Sequence, residues 1–432
     1  MTLRQLKGTK EFLPKEQLVR EWIADTLKRV FKIYGFKPVE TSILEFYDIA
    51  ASKYAGGAEI LKETYRLKDQ GNRDLILRYE LTFKLAKLIG MNPEIRMPFK
   101  RYEIGKVFRD GPVKTGRLRE FTQCDVDVVG IKSQVANAEL IALAFRVFQE
   151  LGLNAYAQVN SRKLLFGILK EFGVDEDKFT DFALSLDKIE KVGKEAVVKE
   201  LREKEFNEDV IVKVFSVLEE AGKFNGNTNK LDYFTNVLNN ELAKEGISEL
   251  KDLFKFLKDF NVSEVELTPN LARGLGYYTG TIFEFYLKDS KIKSSIAAGG
   301  TWDSMIQKFI GTKIEYPATG MAFGLDVIYE ALKDSKINIT NIPKIYIIPI
   351  NTLKDSIKIC EKIRSEGISC DIAYTKKLGK ALNYANKEGI PYCLIVGEDE
   401  LKKGKYKLKD MRSGDERFVS VEELISLSKK SP

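Results

Sequence analysis

The 432-residue chain contains no histidine. No imidazole is available as general base, nucleophile or metal ligand, so serine–histidine and cysteine–histidine catalysis are excluded. The four cysteines, Cys124, Cys360, Cys370 and Cys393, form no CxxC pair. That usage argues against structural zinc and for a reducing compartment. No apolar run is long enough to cross a bilayer and no secretory signal is evident, so the expectation is a cytoplasmic protein with no membrane partner. The GK[ST] and GxGxxG spacings of the Walker and dinucleotide loops are absent as well. A strong excess of either charge is also missing: 70 Lys and Arg face 63 Asp and Glu, a formal +7. This permits a nucleic-acid partner without requiring one. Chemistry must rest on carboxylates, arginines, lysines, tyrosines and any metal held by oxygen; no residue set stands out as a resident metal site.

What the chain does have is length for two or three domains and one dense polar hairpin, KRYEIGKVFRDGPVKTGRLREFTQCDVDVVG, residues Lys100–Gly130. Alternation over Tyr102–Arg109 has strand period, and Gly111-Pro112 breaks it. Lys114, Arg117 and Arg119 crowd the turn. On the return strand Thr122, Cys124, Val126 and Val128 form an apolar face, leaving Phe121, Gln123, Asp125 and Asp127 on the other. An aromatic, an amide and two carboxylates beside a cationic loop suit a polyphosphate and a small cationic or amphoteric molecule. A salt-bridged surface hairpin fits the same pattern.

Around it, Gln17–Tyr34 reads as an amphipathic helix closed by Gly35 and followed by a strand at Lys37–Ile43. LRYELT places Glu80 and Thr82 where a strand meets the helix Phe83–Ile89, a setting for an ammonium group; a capping threonine beside a solvated glutamate is the other reading. Ser133–Leu151 is a helix and Asn154–Val159 a strand. Residues 175–249 read as a helical insertion, followed by a helix at Leu250–Phe260. In LARGLGYYTGTIFEFYL, glycines follow Arg273 and Tyr277-Tyr278 open an aromatic strand; an arginine so placed can approach a ligand closely. Pro317–Leu332 is a glycine-rich passage from strand to helix. After a linker at Asp334–Pro343 comes a strand–helix repeat with a mainly parallel sheet. That unit carries 18 Lys and Arg against 13 Asp and Glu, +5 of the total, with five lysines in Lys402–Lys409, a solvated face or a track for a nucleic-acid backbone.

The chain resembles the histidyl-tRNA synthetases, class II aminoacyl-tRNA synthetases, over nearly its whole length, from GTKEFLP (Gly8–Pro14) to KDMRSGDE. LARGLGYYTG resembles that family's histidine-binding signature. The affiliation expected is archaeal/eukaryotic-like. The resemblance implies an α+β fold: a class II antiparallel sheet flanked by helices over residues 1–333, with the 175–249 helical insertion, and a C-terminal α/β anticodon-binding domain over 344–432. It implies a histidine–tRNA ligase that uses ATP with Mg²⁺, binds L-histidine and tRNA(His), and forms a homodimer. Position by position, Arg109 resembles the arginine on the α-phosphate, Arg117 the one on the outer phosphates, and Phe121 the ring beneath adenine. Glu80 and Thr82 resemble the pair that grips the amino group of histidine. Gln123 and Arg273 resemble the groups on its carboxylate, Arg273 also facing the α-phosphate, while Asp127, Tyr277 and Tyr278 resemble the imidazole readers.

Four positions depart from the family pattern. Gly111 stands where an acid is expected, with Asp110 as a stand-in; Ser42 replaces a motif-1 proline; Thr301 and Trp302 replace an arginine and a tyrosine; and Val327 replaces the motif-3 arginine, with Lys308 or Lys313 as candidate substitutes. A non-catalytic synthetase-like module that binds histidine or uncharged tRNA is therefore the alternative to the enzyme.

Overall fold

The computed structural model describes residues 2–53, 61–113, 116–273, 276–335, 339, 341–375 and 377–430. It divides into two compact units, Met1–Ile337 and Asn338–Pro432. In the first, an eight-stranded sheet runs in the order Lys37–Pro38, Phe99–Phe108, Glu120–Val129, Ala318–Gly324, Ala297–Thr301, Thr281–Leu287, Ala155–Ser161, Val265–Leu267. The inner strands pair antiparallel, and only the two edge strands pair parallel. We call Phe99–Phe108 and Glu120–Val129 the hairpin strands, Ala318–Gly324 and Ala297–Thr301 the central strands, and Thr281–Leu287 and Ala155–Ser161 the outer strands.

Period-two alternation gives this sheet two unlike faces. Cys124, Val126, Val128, Met321, Phe323, Phe283 and Phe285 point into the main core. The helices Pro14–Ile33 and Gln134–Glu150 bring Ile23, Leu27, Val30 and Phe31, and Leu140, Ala144 and Val147, to the same core. The first helix starts earlier than its hydrophobic period indicates, because Pro14 suits a first helical turn. The expected strand Lys37–Ile43 shrinks to Lys37–Pro38; beyond it the Thr41 amide turns to donate to the Glu103 carboxylate at 2.9 Å. Tyr277 and Tyr278 precede the aromatic strand, which begins at Thr281. Between residues 175 and 249 the described structure holds helices and no strand. No helix starts at Leu250, however: Glu241–Asp259 is a single helix crossing that point.

In the second unit Ile345–Pro349 pairs parallel with Cys370–Ile372 and Tyr392–Val396, and the antiparallel strands Tyr406–Asp410 and Glu416–Val419 complete a mixed sheet. Lys407 and Lys409 of the basic run pair with Glu416. Among the described residues no helix is long and apolar enough to cross a membrane.

A buried ion pair ties the N-terminal helix to the site end of the sheet. Arg20 lies 2.6 Å from Asp326, and the other Asp326 oxygen accepts from the Thr122 amide at 2.8 Å. The Arg20 guanidinium also stacks on Phe12 at 3.8 Å. Removing one member of such a pair strands a charge in low dielectric. Arg20→Ala is expected to cost about 3 kcal/mol, and Arg20→Met combined with Asp326→Leu less than Arg20→Ala alone. Denaturant titration measures both, and a double variant at least as unstable as Arg20→Ala contradicts this assignment.

Candidate active site

The opposite sheet face carries the polar residues. Residues paired across antiparallel strands share a face, so the register defines its rows. Asp125, Ala322, Ala298, Glu284 and Gln158 lie side by side, and Asp127, Gly320, Gly300 and Ile282 form the next row. The central strands therefore offer this face nothing larger than a methyl group. The result is a trough, floored by Gly320, Ala322, Gly324, Ala298 and Gly300. Gln123, Asp125 and Asp127 wall one side, and Glu284 and Gln158 the other. Gly320 is needed for a second reason: a Cβ there would sit 1.8 Å from Asp127 Oδ1.

Four carboxylates meet at the hairpin side, and Glu80, Glu103, Asp125 and Asp127 are each at most 3% exposed. Glu103 is fully engaged: Arg78 donates at 2.9 Å, Arg101 at 3.3 Å, and the Thr41 amide and hydroxyl at 2.9 and 2.8 Å. Arg78 reaches it by crossing Gly105, where a Cβ would lie 2.1 Å from its Nη2. Arg101 Nη2 stands 2.8 Å from Asp127 Oδ2 but off the hydrogen-bond direction, so that oxygen accepts no bond. Glu80 Oε1, Gln123 Oε1 and Asp125 Oδ1 are also buried without hydrogen bonds. Burial pushes Glu80 up to about 7 against the pull of Arg109, and Asp127 up to about 6 against that of Arg101. Asp125 is driven well above the usual carboxylate range, again by burial. Acceptors outnumber donors, which is the signature of a site awaiting a ligand rich in N–H groups.

The two arginines of interest flank this cluster. Arg109 donates to the Tyr79 carbonyl at 3.2 Å, and its guanidinium lies 4.2 Å from the Tyr79 ring centre and 5.1 Å from that of Phe121. Arg273 enters from the loop before the outer strands with φ 62°. It pairs with Glu284 at 2.6 Å and donates to the Tyr278 hydroxyl at 3.1 Å, leaving its Nε unpartnered. Tyr277 packs on Tyr278 and donates to Glu80 at 3.3 Å. Contacts and neighbouring charges thus link Glu80, Arg109, Asp127, Arg273, Tyr277 and Tyr278 into one cluster, with Phe121 beside Arg109. Thr82 opens the helix Thr82–Met91 next to Glu80. Gln123 lies along the same wall. Arg117 stands apart, on the rim of a cavity beside Glu284. Lys114 and the Gly274–Leu275 pair fall outside the described residues.

Sequence reading placed Arg78 with Glu80 and Thr82 in LRYELT but gave no role to it, nor to Arg101, Glu103 and Asn160. The amide of Asn160 donates to the Pro269 and Leu271 carbonyls, both at 2.8 Å, and so fixes the loop that carries Arg273. Alternation in Phe99–Phe108 placed Arg101 and Glu103 on one face, but only the register sets them opposite Asp127 and Asp125. Three suggested substitutes are corrected. Asp110 does not stand in for Gly111, because it is committed to Arg119 at 3.1 Å and Tyr65 at 3.4 Å. Instead Glu63 Oε1 lies 2.8 Å from where a Gly111 Cβ would be. Lys308 and Lys313 follow the Thr301 end of the central strands, whereas Val327 follows the Gly324 end, about 15 Å away along the strand. Neither replaces the missing arginine. Val327 itself packs under the loop, 3.3 Å from the Cβ position of Gly116.

A Gly/Ala-floored antiparallel sheet with an arginine on each side of a buried acidic pocket is the active-site architecture of a class II aminoacyl-tRNA synthetase. The comparisons narrow the class. The family model described as "Histidyl-tRNA synthetase" matches residues 8–328, and "Anticodon binding domain" matches 344–431. Histidine–tRNA ligase 1 of Bacillus cereus is 45% identical over 427 residues, covering 98% of this chain and 99% of that one. Histidine–tRNA ligase 2 of Shouchella clausii is 45% identical over 419 residues, 96% and 98% of the two chains. The crystal structure of histidyl-tRNA synthetase from Nostoc sp. PCC 7120 superposes with a TM-score of 0.84 at 28% identity, covering all of both chains. The chain belongs to the histidyl-tRNA synthetase family. These relatives are bacterial, so the archaeal/eukaryotic-like affiliation expected from the sequence is not borne out.

Because the Glu80 pKa is raised from 4.5 to about 7, the folded state holds that proton more tightly than the unfolded state. Its ionisation therefore removes stability as pH climbs between those values, and the loss is complete above them. Glu80→Gln is expected to raise the melting temperature at pH 8 and to do so much less at pH 5. Calorimetry at the two pH values reads this directly; equal shifts contradict it.

Proposed function

We propose that the chain is a histidine–tRNA ligase, which activates histidine with ATP to histidyl-adenylate and transfers it to the 3′ end of tRNA(His). The observation that carries this reading is the ligand-shaped deficit between Arg109 and Arg273: buried acceptors on Glu80, Gln123, Asp125 and Asp127, with a free guanidinium N–H on Arg273. Glu80, helped by Thr82, takes the ammonium group. Asp127, with Tyr277 and Tyr278, takes the imidazole N–H, and an amino acid lacking that donor leaves the carboxylate unpaired. Gln123 and Arg273 hold the carboxylate.

ATP lies with adenine on Phe121, its α-phosphate on Arg109 and Arg273, and its outer phosphates on Arg117. One carboxylate oxygen of histidine attacks the α-phosphorus in line, the bond to the β-phosphate oxygen breaks, and pyrophosphate leaves. Two anions must meet, so cations fixed on either side of the phosphorus lower the barrier. Mg²⁺ bound to the triphosphate would neutralise part of its charge. In the second step a hydroxyl of the terminal adenosine attacks the acyl carbon. The acyl–phosphate bond breaks, AMP departs, and the phosphate oxygen takes the hydroxyl proton, so no histidine base is required.

The catalytic domain of this reading spans 1–333, and the basic 344–432 domain reads the anticodon. A cytoplasmic homodimer is part of the same proposal, supported by the exposed apolar run of Ile43, Leu44 and Phe46, each more than 40% accessible. The non-catalytic alternative is disfavoured by the pair of arginines, which a histidine sensor does not need. The test is histidine-dependent ATP–pyrophosphate exchange. The wild type is expected to exchange, and Arg109→Ala and Arg273→Ala each to lower kcat about 10²- to 10³-fold. No exchange above the Arg273→Ala background selects the non-catalytic module.

A further inference from the structure

Arg162 is 1% exposed and is the first residue of the helix Arg162–Glu171. Both facts count against a cation there: burial costs solvation, and the N-terminus of a helix repels positive charge. Among the described residues it forms no ion pair, although the more distant charge of Asp187 favours its ionised form. Burial pulls its pKa down to about 10, so it stays charged at neutral pH. Its backbone amide donates to the Gly280 carbonyl at 2.9 Å, and its guanidinium lies 4.7 Å from the Phe166 ring centre. Its Nη1 donates to the Ala272 carbonyl at 3.2 Å. An apolar side chain would fill the same space without the desolvation penalty. What it could not supply is that bond.

The bond falls where the loop is most constrained. Arg273 has φ 62°, a left-handed value that residues with side chains rarely adopt. The Ala272 carbonyl belongs to the peptide plane that precedes this rotation, so fixing the oxygen fixes the plane. Asn160 holds the Pro269 and Leu271 carbonyls, and its grip ends one peptide short. Asn160 and Arg162, two positions apart where a strand turns into a helix, thus hold three successive anchor points of the segment leading to Arg273. At the far end the Arg273 side chain is held by Glu284 and Tyr278. We propose that Arg162 is a positioning residue for Arg273: by holding the Ala272 carbonyl it keeps the left-handed turn that presents the Arg273 guanidinium to the carboxylate of histidine. The proposal rests on the ligase reading, in which Arg273 grips that carboxylate, and assigns control of the grip to a buried residue of another element.

Titration calorimetry tests it by comparing L-histidine with histidinol, which has an alcohol in place of the carboxylate, on wild type, Arg162→Met and Arg162→Lys. Arg162→Met loses the donor and is expected to raise the Kd for histidine about tenfold, while the Kd for histidinol stays within about twofold. Arg162→Lys keeps a charged donor and is expected to recover most of the loss. In ATP–pyrophosphate exchange Arg162→Met is expected to lower kcat about tenfold. Equal weakening of both ligands marks a purely structural role and overturns the proposal, as does unchanged binding of both. Should Arg162→Met fail to fold, Arg162→Gln is expected to shift the ratio the same way, because its amide ends near the Nε position, short of the carbonyl. A wild type that binds histidine without exchange is a different failure, that of the ligase reading, and the ratio still decides the role of Arg162.

Discussion

Three buried carboxyl groups of one sheet face, with Glu80 beside them, share two guanidinium groups, and Glu103 alone uses a donor from each. What is left for Asp127 is one sideways approach from Arg101, and for Glu80 a hydrogen bond from Tyr277 and the more distant field of Arg109. Such an arrangement is costly in the empty protein, since burial penalises each charge that lacks a partner. It becomes favourable when a ligand supplies an ammonium group and ring N–H groups together. Selectivity for a small amphoteric molecule and the raised pKa values then have one cause.

The rest of the first unit maintains that deficit. Core packing against the helices Pro14–Ile33 and Gln134–Glu150 takes every large side chain of the central strands, so the site face keeps only glycine and alanine. The missing side chains leave room for Asp127 to lie across Gly320 and for a ligand to lie across the remainder. Asn160 fixes the loop of Arg273, and the Arg20–Asp326 pair anchors the strand that carries Phe121 and Gln123.

Local periodicity was enough to find the hairpin and to assign its faces, because a strand with one buried face has only one allowed register of side chains. The same held for the apolar period of the first helix, although not for its start. Pairings between distant segments were not readable. That Arg101 and Glu103 face Asp127 and Asp125 depends on the hairpin register, and that Arg78 joins them depends on Gly105 having no side chain. Glu63 occupies the space at Gly111 although 48 positions separate them. The search for a cation near Val327 failed for a related reason. Lys308 and Lys313 are close to Val327 in sequence, but the central strand between them carries them to the opposite end of the sheet.

The central claim is that Glu80 waits partly protonated for a cationic ligand. With its carboxyl near 7, binding of the histidine ammonium at pH 7 must expel about half a proton from it. Titration calorimetry in buffers of different ionisation enthalpy measures proton release on histidine binding. The difference between wild type and Glu80→Gln isolates this group from the imidazole. The wild type is expected to release about half a proton more than the variant. Equal proton release from the two proteins, with histidine bound to both, would contradict the claim.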